Sequence, residues 1–483
     1  MSVDPLLVTV DGTRLGCDDV QRVAAEGAAV AVDPAGLERA AAAWQVVREV
    51  ASSRPVYGRT TGVGANRAAE VGEVGAAHGL QLLRSHAGGA GPLLDEARTR
   101  AMLLVRLNQL AAGGSGADPA LLGALAEVLN QHVLPPVHRY GAIGTADLTA
   151  LATTALCLLG ERPWLRGELP AFAFDPADAL AFISSNAATV GEAALAACRL
   201  RGLLDTGLVI AALSFLAVDG SAEAYATAVH EQRGHPGQRA AAARMRELLA
   251  PDSARPAARI QDPYGYRALP QVHGPAFDAT AGLAAVLTIE MNAAAENPLV
   301  DVAGRQVLHN GNFHTAYVAH ALDAARAAMF STAALSAARL GSLIEPAYTG
   351  LRPFLAAGPP ASSGVMILEY IAHAALADVR RHGVSAAMGT AVLSRGVEEH
   401  ASFSAQAAHG TTDALAAYEV VLACELVAAV RALRLKDRTP GPGQLRGAYE
   451  TAAGRLDPAT EDRPLDADVQ AATAVLPLLS HPR

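Results

Sequence analysis

Tyr57 lies in a glycine-rich stretch, Tyr57-Gly-Arg-Thr-Thr-Gly-Val-Gly64, that cannot form regular secondary structure. A phenol removes a proton near neutral pH only where its surroundings lower its pKa from the usual value of about 10. The stretch also lacks the lysine of a phosphate-binding loop. Taken alone, it predicts either a tyrosine that anchors a loop or a tyrosine that acts as a base.

A second stretch, Tyr140-Gly-Ala-Ile-Gly-Thr-Ala-Asp-Leu-Thr-Ala-Leu-Ala152, joins a loop to an apolar helix. Gly141 and Gly144 free the backbone ahead of that helix. The local pattern predicts Thr145 as the helix N-cap and Asp147 in the first turn.

The spacing of cysteine and histidine argues against a metal site. Pro236-Gly237 keeps His230 and His235 from the spacing that two ligands on one helix face require. The chain has no CxxC pattern, and a disulfide framework does not suit 483 residues. The four cysteines lie far apart, at Cys17, Cys157, Cys198 and Cys424.

Charge and hydropathy exclude other classes of partner. The net charge is −9 and Lys436 is the single lysine, so nucleic-acid binding has little support. The first residues lack the basic and apolar regions of a signal peptide. Apolar stretches such as residues 206–218 are too short to cross a bilayer. We therefore expect a cytoplasmic protein with neither membrane nor nucleic-acid partners.

Several separated motifs resemble those of the histidine and phenylalanine ammonia-lyases. The most specific runs from Gln261 to Gly274 and matches Gln-Asp-x-Tyr-x-x-Arg-x-x-Pro-Gln-x-x-Gly at every defining position. The resemblance extends from Val8 to about Leu435, so the chain is identified as a member of this family, most similar to the histidine type. Further matches are the Tyr57 and Tyr140 stretches, Ser85-His86, Asn186, residues 290–299, Gly311-Asn-Phe-His314, residues 362–367 and Val397-Glu-Glu-His400.

The resemblance implies roles for eight side chains. Tyr57 would be the catalytic base on a lid loop, with its pKa lowered by positive helix ends, one of them the helix start at Asp147. Arg267 would bind the substrate carboxylate, which suits a planar guanidinium that can donate two parallel hydrogen bonds. The implied catalytic residues are Tyr57, Tyr264 and Glu398, and the implied substrate-binding residues are His86, Asn186, Gln261, Arg267 and Phe313.

The family forms its methylideneimidazolone (MIO) electrophile from an Ala-Ser-Gly triad in the loop that matches residues 140–152, hereafter the signature loop. The corresponding triad here is Gly144-Thr145-Ala146, and the loop is one residue shorter. Thr145 keeps a hydroxyl, but Ala146 places a Cβ where glycine permits tight ring closure. We therefore expect no mature MIO and no other cofactor.

Polar side chains in a pocket would cost stability if they had no use, so we expect an active enzyme. The prediction is an MIO-independent lyase for base-assisted elimination or addition on a small carboxylate or amino-acid-like substrate. Its leaving group would be a hydroxyl or an already activated amine. The alternatives are an orthodox histidine-type ammonia-lyase with an unusual MIO, a ligand-binding pseudoenzyme, and a structural protein.

The composition is 51% hydrophobic but only 4% aromatic, with abundant alanine, which favours helices over sheets. Long helices are predicted over residues 192–218 and 320–340, and a strand over residues 6–10. The resemblance implies a mainly α, ammonia-lyase-like fold with a central bundle of long helices, assembled as a homotetramer with shared active sites. We predict an N-terminal domain over residues 1–190 with both loops, a long-helix bundle over 191–435 and a helical tail over 436–483.

Overall fold

The computed structural model describes residues 7–71, 75–173 and 175–480. Helices dominate these residues, which confirms the mainly α prediction. The helices are α1 Cys17–Ala24, α2 Pro34–Ala51, α3 Gly75–His86, α4 Glu96–Ala112, α5 Ala120–Asn130, α6 Leu148–Leu158, α7 Ala179–Ile183, α8 Ala187–Ala217, α9 Thr227–Glu231, α10 Pro236–Leu249, α11 Tyr264–Arg267, α12 Leu269–Met291, α13 Ala316–Leu343, α14 Pro346–Thr349, α15 Ile367–His382, α16 Ser404–Leu435, α17 Gln444–Ala453 and α18 Asp466–Leu479.

Six short strands form three two-stranded sheets. β1 (Leu7–Val10) pairs with β2 (Ala29–Val32) in parallel. β3 (Ala90–Leu93) pairs with β4 (His138–Tyr140), and β5 (Leu299–Asp301) with β6 (Gln306–Leu308), both antiparallel. The predicted first strand and the two long helices are present, although Leu6 lies outside the described residues.

The chain divides into two compact units. Unit 1 contains the described residues up to Cys198 together with Leu283–Asp323 and Ser385–His409, and unit 2 contains Arg199–Gly282, Ala324–Val384 and the described residues from Gly410 onward. The predicted division into 1–190, 191–435 and 436–483 follows chain order and stays a prediction.

Helix α4 is the centre of unit 1 and is buried on every side from Thr99 to Ala111. A helix buried all round must give each polar side chain a partner. Arg106 does so by pairing with Glu296 at 2.8 Å and by donating to the carbonyl of Phe182 at 2.9 Å. These bonds join α4 to the end of α7 and to the segment that follows α12.

The start of α6 differs from the prediction. Helix α6 begins at Leu148, and Asp147, not Thr145, occupies its N-cap position without a side-chain capping bond. The carboxylate of Asp147 instead accepts the backbone N–H of Thr189 at 2.8 Å and its hydroxyl at 2.9 Å, in the first turn of α8. Burial raises the pKa of Asp147 to about 6. The side chain thus serves the neighbouring helix rather than its own.

Two described helical segments are long and apolar enough to cross a membrane by length and composition: Pro176–Ala217 and α12. The most apolar stretch of the first is 83% buried within the fold, whereas that of α12 is 33% buried. Core helices of compact proteins meet the same criteria, so the expectation of no membrane partner stays a prediction.

A buried ion pair lies in the core of unit 2. The guanidinium of Arg339 binds both carboxylate oxygens of Glu425, at 2.6 and 2.7 Å, with both side chains fully buried. Ser214 and Ser336 donate to the same carboxylate at 2.7 and 2.5 Å. Arg339 also donates to the carbonyl of Gly265 at 3.3 Å, so the pair holds the turn of α11.

We expect Arg339→Met alone to lower the free energy of unfolding by about 3–5 kcal/mol, because it leaves an uncompensated buried carboxylate. The double variant Arg339→Met/Glu425→Leu removes both charges and should recover most of that loss. Urea unfolding of the three proteins measures both quantities. A single variant as stable as the parent would show that the pair does not stabilise unit 2.

Candidate active site

A cavity of about 1190 Å³ opens in unit 1. Its walls come from the Tyr57 lid loop, the end of α3, the signature loop, the segment after β6 and residues 393–398. Six residues predicted for the active site line it: Tyr57, His86, Thr145, Ala146, Phe313 and Glu398. The structure thus brings together side chains from five separate stretches of the sequence.

The base of the lid loop is fixed by a buried carboxylate. Arg59 pairs with Asp178 at 2.6 Å, and Asp178 is fully buried. The same carboxylate accepts the indole N–H of Trp44 at 3.0 Å and the backbone N–H of Asp118 at 2.9 Å. Gly58 is required beside them because a Cβ there would lie 2.0 Å from Leu180.

The tip of the lid loop holds the Tyr57 hydroxyl, which accepts the backbone N–H of Gly64 at 2.7 Å. The next residue, Ala65, donates its N–H to the hydroxyl of Ser394 at 3.0 Å. Glu398 lies close by, since a Cβ on Gly64 would be 3.6 Å from a carboxylate oxygen of Glu398.

The pKa of Tyr57 is raised above its ordinary value, chiefly by burial. The Gly64 N–H opposes this shift, the Glu398 carboxylate adds to it, and Arg67 opposes it. The expectation of a lowered pKa is therefore wrong for this chain. Burial and a nearby negative charge outweigh the two groups that favour the phenolate.

The signature loop is held by its carbonyl groups. The carbonyl oxygen of Gly144 accepts three hydrogen bonds: from the backbone N–H of Thr315 at 3.4 Å, from its hydroxyl at 3.2 Å, and from the hydroxyl of Ser402 at 3.0 Å. Ala146 donates its N–H to the side-chain carbonyl of Asn186 at 3.0 Å. Asn186 in turn donates to the carbonyl of Phe313 at 2.6 Å, so it supports the loop and does not line the cavity.

The residues of this loop do not fit the MIO of the ammonia-lyases. A Cβ on Gly144, where the family triad has alanine, would lie 1.9 Å from the hydroxyl of Ser402 and 2.7 Å from that of Ser404. Ala146 carries a Cβ at φ +85°, in the left-handed region that favours glycine. The loop is packed around Gly-Thr-Ala, and an alanine at position 144 would require the hydroxyls of Ser402 and Ser404 to move.

His86 ends α3 with its imidazole in a defined tautomer. Its Nδ1 lies 2.9 Å from the carbonyl oxygen of Leu82. A carbonyl only accepts, so Nδ1 carries the proton and Nε2 of the neutral ring is an acceptor. His86 therefore suits a substrate group that donates a hydrogen bond.

The three remaining predicted residues, Gln261, Tyr264 and Arg267, belong to unit 2. Among the described residues that line the cavity, none of the three occurs. The guanidinium of Arg267 instead stacks over the ring of Tyr264, 4.7 Å from its centroid, and the Tyr264 side chain is 68% exposed. The structure does not bring them into the cavity of their own chain.

The cavity also contains residues that the sequence analysis missed, including His309 and Arg67. His309 accepts the backbone N–H of Tyr57 at 3.2 Å. One feature of the sequence could have pointed to His309: it lies four residues before Phe313, just ahead of the Gly-Asn-Phe-His segment.

Comparison with known proteins agrees with these motifs. The family profile described as aromatic amino acid lyase matches residues 15–453. The histidine ammonia-lyase of Stigmatella aurantiaca is 33% identical over 97% of this chain and 96% of its own length. That of Streptomyces griseus is 34% identical over 97% and 95%. The chain belongs to the aromatic amino acid lyase family.

Solved structures agree with this membership and with the predicted ammonia-lyase fold. The tyrosine aminomutase of Streptomyces globisporus superimposes on this lyase with a TM-score of 0.91 and 28% identity, covering 98% of this chain and 97% of that one. Ergothionase from Treponema denticola gives 0.92 and 24%, covering 98% and 99%, a likeness in fold. Histidine ammonia-lyase from Trypanosoma cruzi gives 0.88 and 26%, covering 97% and 93%.

We expect Glu398→Gln to lower the pKa of Tyr57, because it removes a negative charge that disfavours the phenolate. Subtracting the absorbance titration of Tyr57→Phe from that of the parent gives the titration curve of the Tyr57 phenol. Glu399→Gln, on the same segment but not lining the cavity, is the matched control. Equal titrations for the two glutamine variants would contradict the charge arrangement described here.

Proposed function

We propose that this lyase catalyses base-assisted elimination, or the reverse addition, on a small amino-acid-like carboxylate without an MIO group. The signature loop carries this proposal, because its triad is Gly144-Thr145-Ala146 and the nitrogen of Ala146, which ring closure would need as the nucleophile, donates its N–H to Asn186 at 3.0 Å. Ala146 at φ +85° adds a second departure from the family triad. No step here passes through an MIO.

An elimination without an electrophile requires a leaving group that departs by itself. A quaternary ammonium group meets this need, since it leaves as a neutral amine. A hydroxyl is the second candidate, and it meets the need only when it takes up a proton and leaves as water. The free amine of an ordinary amino acid is a poor leaving group. An enzyme without an MIO should therefore differ from the MIO enzymes in the substrates that it converts. The proposed substrate is therefore a small carboxylate with an activated amine or a hydroxyl.

Tyr57 is proposed as the base that removes the β-proton. The Gly64 N–H already binds the phenol oxygen at 2.7 Å and favours the phenolate. Burial raises the pKa of Tyr57, so activity that depends on the phenolate should increase as the pH rises. His86 and Phe313 line the same cavity and are proposed to hold the substrate side chain.

The cavity of one chain is incomplete in this proposal, because Arg267, the proposed carboxylate anchor, lies in unit 2. We propose that a second copy of the chain brings its Gln261, Tyr264 and Arg267 to the cavity, within a cytoplasmic homotetramer. The exposed apolar surface of α12, with Ile289 70% exposed, supports burial against another copy. Ile260, beside the Arg267 motif, is 93% exposed.

A second candidate is an orthodox histidine-type ammonia-lyase with an unusual MIO made from Thr145. The relatives at 33% and 34% identity that are named histidine ammonia-lyase favour it. The third is a pseudoenzyme that binds ligand without turnover. The three candidate functions can be distinguished by which leaving group, if any, the protein releases from its substrate.

The experiment offers one carbon skeleton with three leaving groups: L-histidine, its hydroxy acid analogue and its trimethylammonium betaine. Ergothioneine, the compound degraded by the structural neighbour from Treponema denticola, is included in the panel. We expect an absorbing unsaturated carboxylate from the hydroxyl or betaine compounds and no ammonia from L-histidine. Tyr57→Phe should abolish turnover while the lid loop still folds.

Ammonia release from L-histidine would support the orthodox lyase instead. Binding of the panel compounds without any product would support the pseudoenzyme. Either result contradicts the proposal.

A further inference from the structure

His309 is the cavity residue in contact with Tyr57 that no motif assigned. It follows β6 and lies far from the lid loop in sequence. The backbone N–H of Tyr57 donates to its Nε2 at 3.2 Å. The two rings also meet edge to face, with centroids 6.4 Å apart and planes at 82°.

This hydrogen bond determines the protonation state of His309. A backbone amide only donates, so Nε2 holds a lone pair and the proton of the neutral ring lies on Nδ1. A second proton, on Nε2, would point an N–H of the ring at the backbone N–H of Tyr57, and the hydrogen bond would be lost. The contact therefore exists only while the imidazole is neutral.

The surroundings of His309 favour the neutral ring. The side chain is exposed, but partial desolvation holds its pKa below the ordinary value, and the Arg54 guanidinium acts in the same direction. Arg54 is itself fixed by donating to the carbonyl of Val307, the middle residue of β6. Among the described residues, Arg54 and Tyr57 are the titratable groups that act on this ring.

The other contacts of the lid loop leave a gap that His309 fills. Asp178 holds the base of the loop through Arg59, and Ser394 holds its tip through Ala65. Tyr57 lies two residues before Arg59, outside the span from Arg59 to Ala65, and its backbone N–H is held by His309. Loss of this contact leaves that N–H without its partner and loosens the main chain at Tyr57.

We propose that His309, as the neutral Nδ1–H tautomer, is a positioning residue that fixes Tyr57 for proton removal. This inference rests on the proposed role of Tyr57. His309 does not touch the reacting atoms in this account, and it acts through the backbone of the base.

A matched pair of variants tests it. In His309→Gln the side-chain amide oxygen reaches the place of Nε2, so it accepts the Tyr57 N–H and does not titrate. In His309→Asn the side chain is one methylene shorter and does not reach. Circular dichroism and thermal unfolding first establish that both variants fold.

The first measurement needs no substrate. Hydrogen exchange of the lid peptide, normalised for intrinsic rates, should show protection in the parent that falls as the pH drops through the pKa of His309. His309→Gln should keep protection across that range, and His309→Asn should show about tenfold less at every pH. Arg54→Gln removes a positive charge and so raises the pKa of His309, and the parent's loss of lid protection should then occur at a higher pH.

The second measurement is turnover of whichever panel compound the parent converts. His309→Asn should lower kcat about tenfold relative to His309→Gln, with a similar KM. When kcat is measured against pH, only the parent should show a decrease at low pH that comes from protonation of His309. Identical lid protection in all the proteins would overturn the inference. Protection as expected but no turnover of any panel compound by the parent would sink the proposed function and leave the His309 contact standing.

Discussion

Three hydrogen bonds to one carbonyl oxygen, that of Gly144, determine what the signature loop contributes. Thr315 and Ser402 supply the donors, and the hydroxyl of Ser404 packs against that of Thr315 at 2.7 Å. These side chains come close enough to exclude a Cβ at position 144. The loop of an aromatic amino acid lyase is thereby kept in place while its triad departs from the family pattern. The proposal of an MIO-independent lyase starts from this departure.

The charges of the cavity act chiefly on Tyr57. Partial burial of the Tyr57 phenol and the nearby Glu398 raise its pKa, whereas the Gly64 N–H and Arg67 favour its ionised form. The balance in one chain favours the protonated phenol, and the predicted carboxylate anchor Arg267 stands outside the cavity of its own chain. Among the described residues that line the cavity, Arg67 is therefore the one that supplies a guanidinium. The lid loop is nonetheless well anchored, by Asp178 at its base and Ser394 at its tip.

Local patterns predicted the helices well and the contacts poorly. Alanine-rich apolar runs predicted α8 and α13 to within a few residues, because helix propensity and burial act in the same direction there. The cap of α6 was wrong since Asp147 bonds to Thr189, 42 residues along the chain. The packing of Gly144 depends on Ser402, 258 residues away. The Tyr57 contact with His309 spans 252 residues. Motifs named six of the cavity residues, but the sign of the Tyr57 pKa shift depended on burial that no motif encodes.

The central claim is that the cavity of this lyase contains a signature loop that does not mature. Peptide mass spectrometry across residues 140–152 of the purified protein tests it most directly, with an unrelated peptide from unit 2 as the internal reference. The account predicts a loop peptide with the mass of its unmodified sequence. A peptide lighter by two water molecules, with the loss mapped to Gly144–Ala146, would show that the loop cyclises and dehydrates, and would contradict the account.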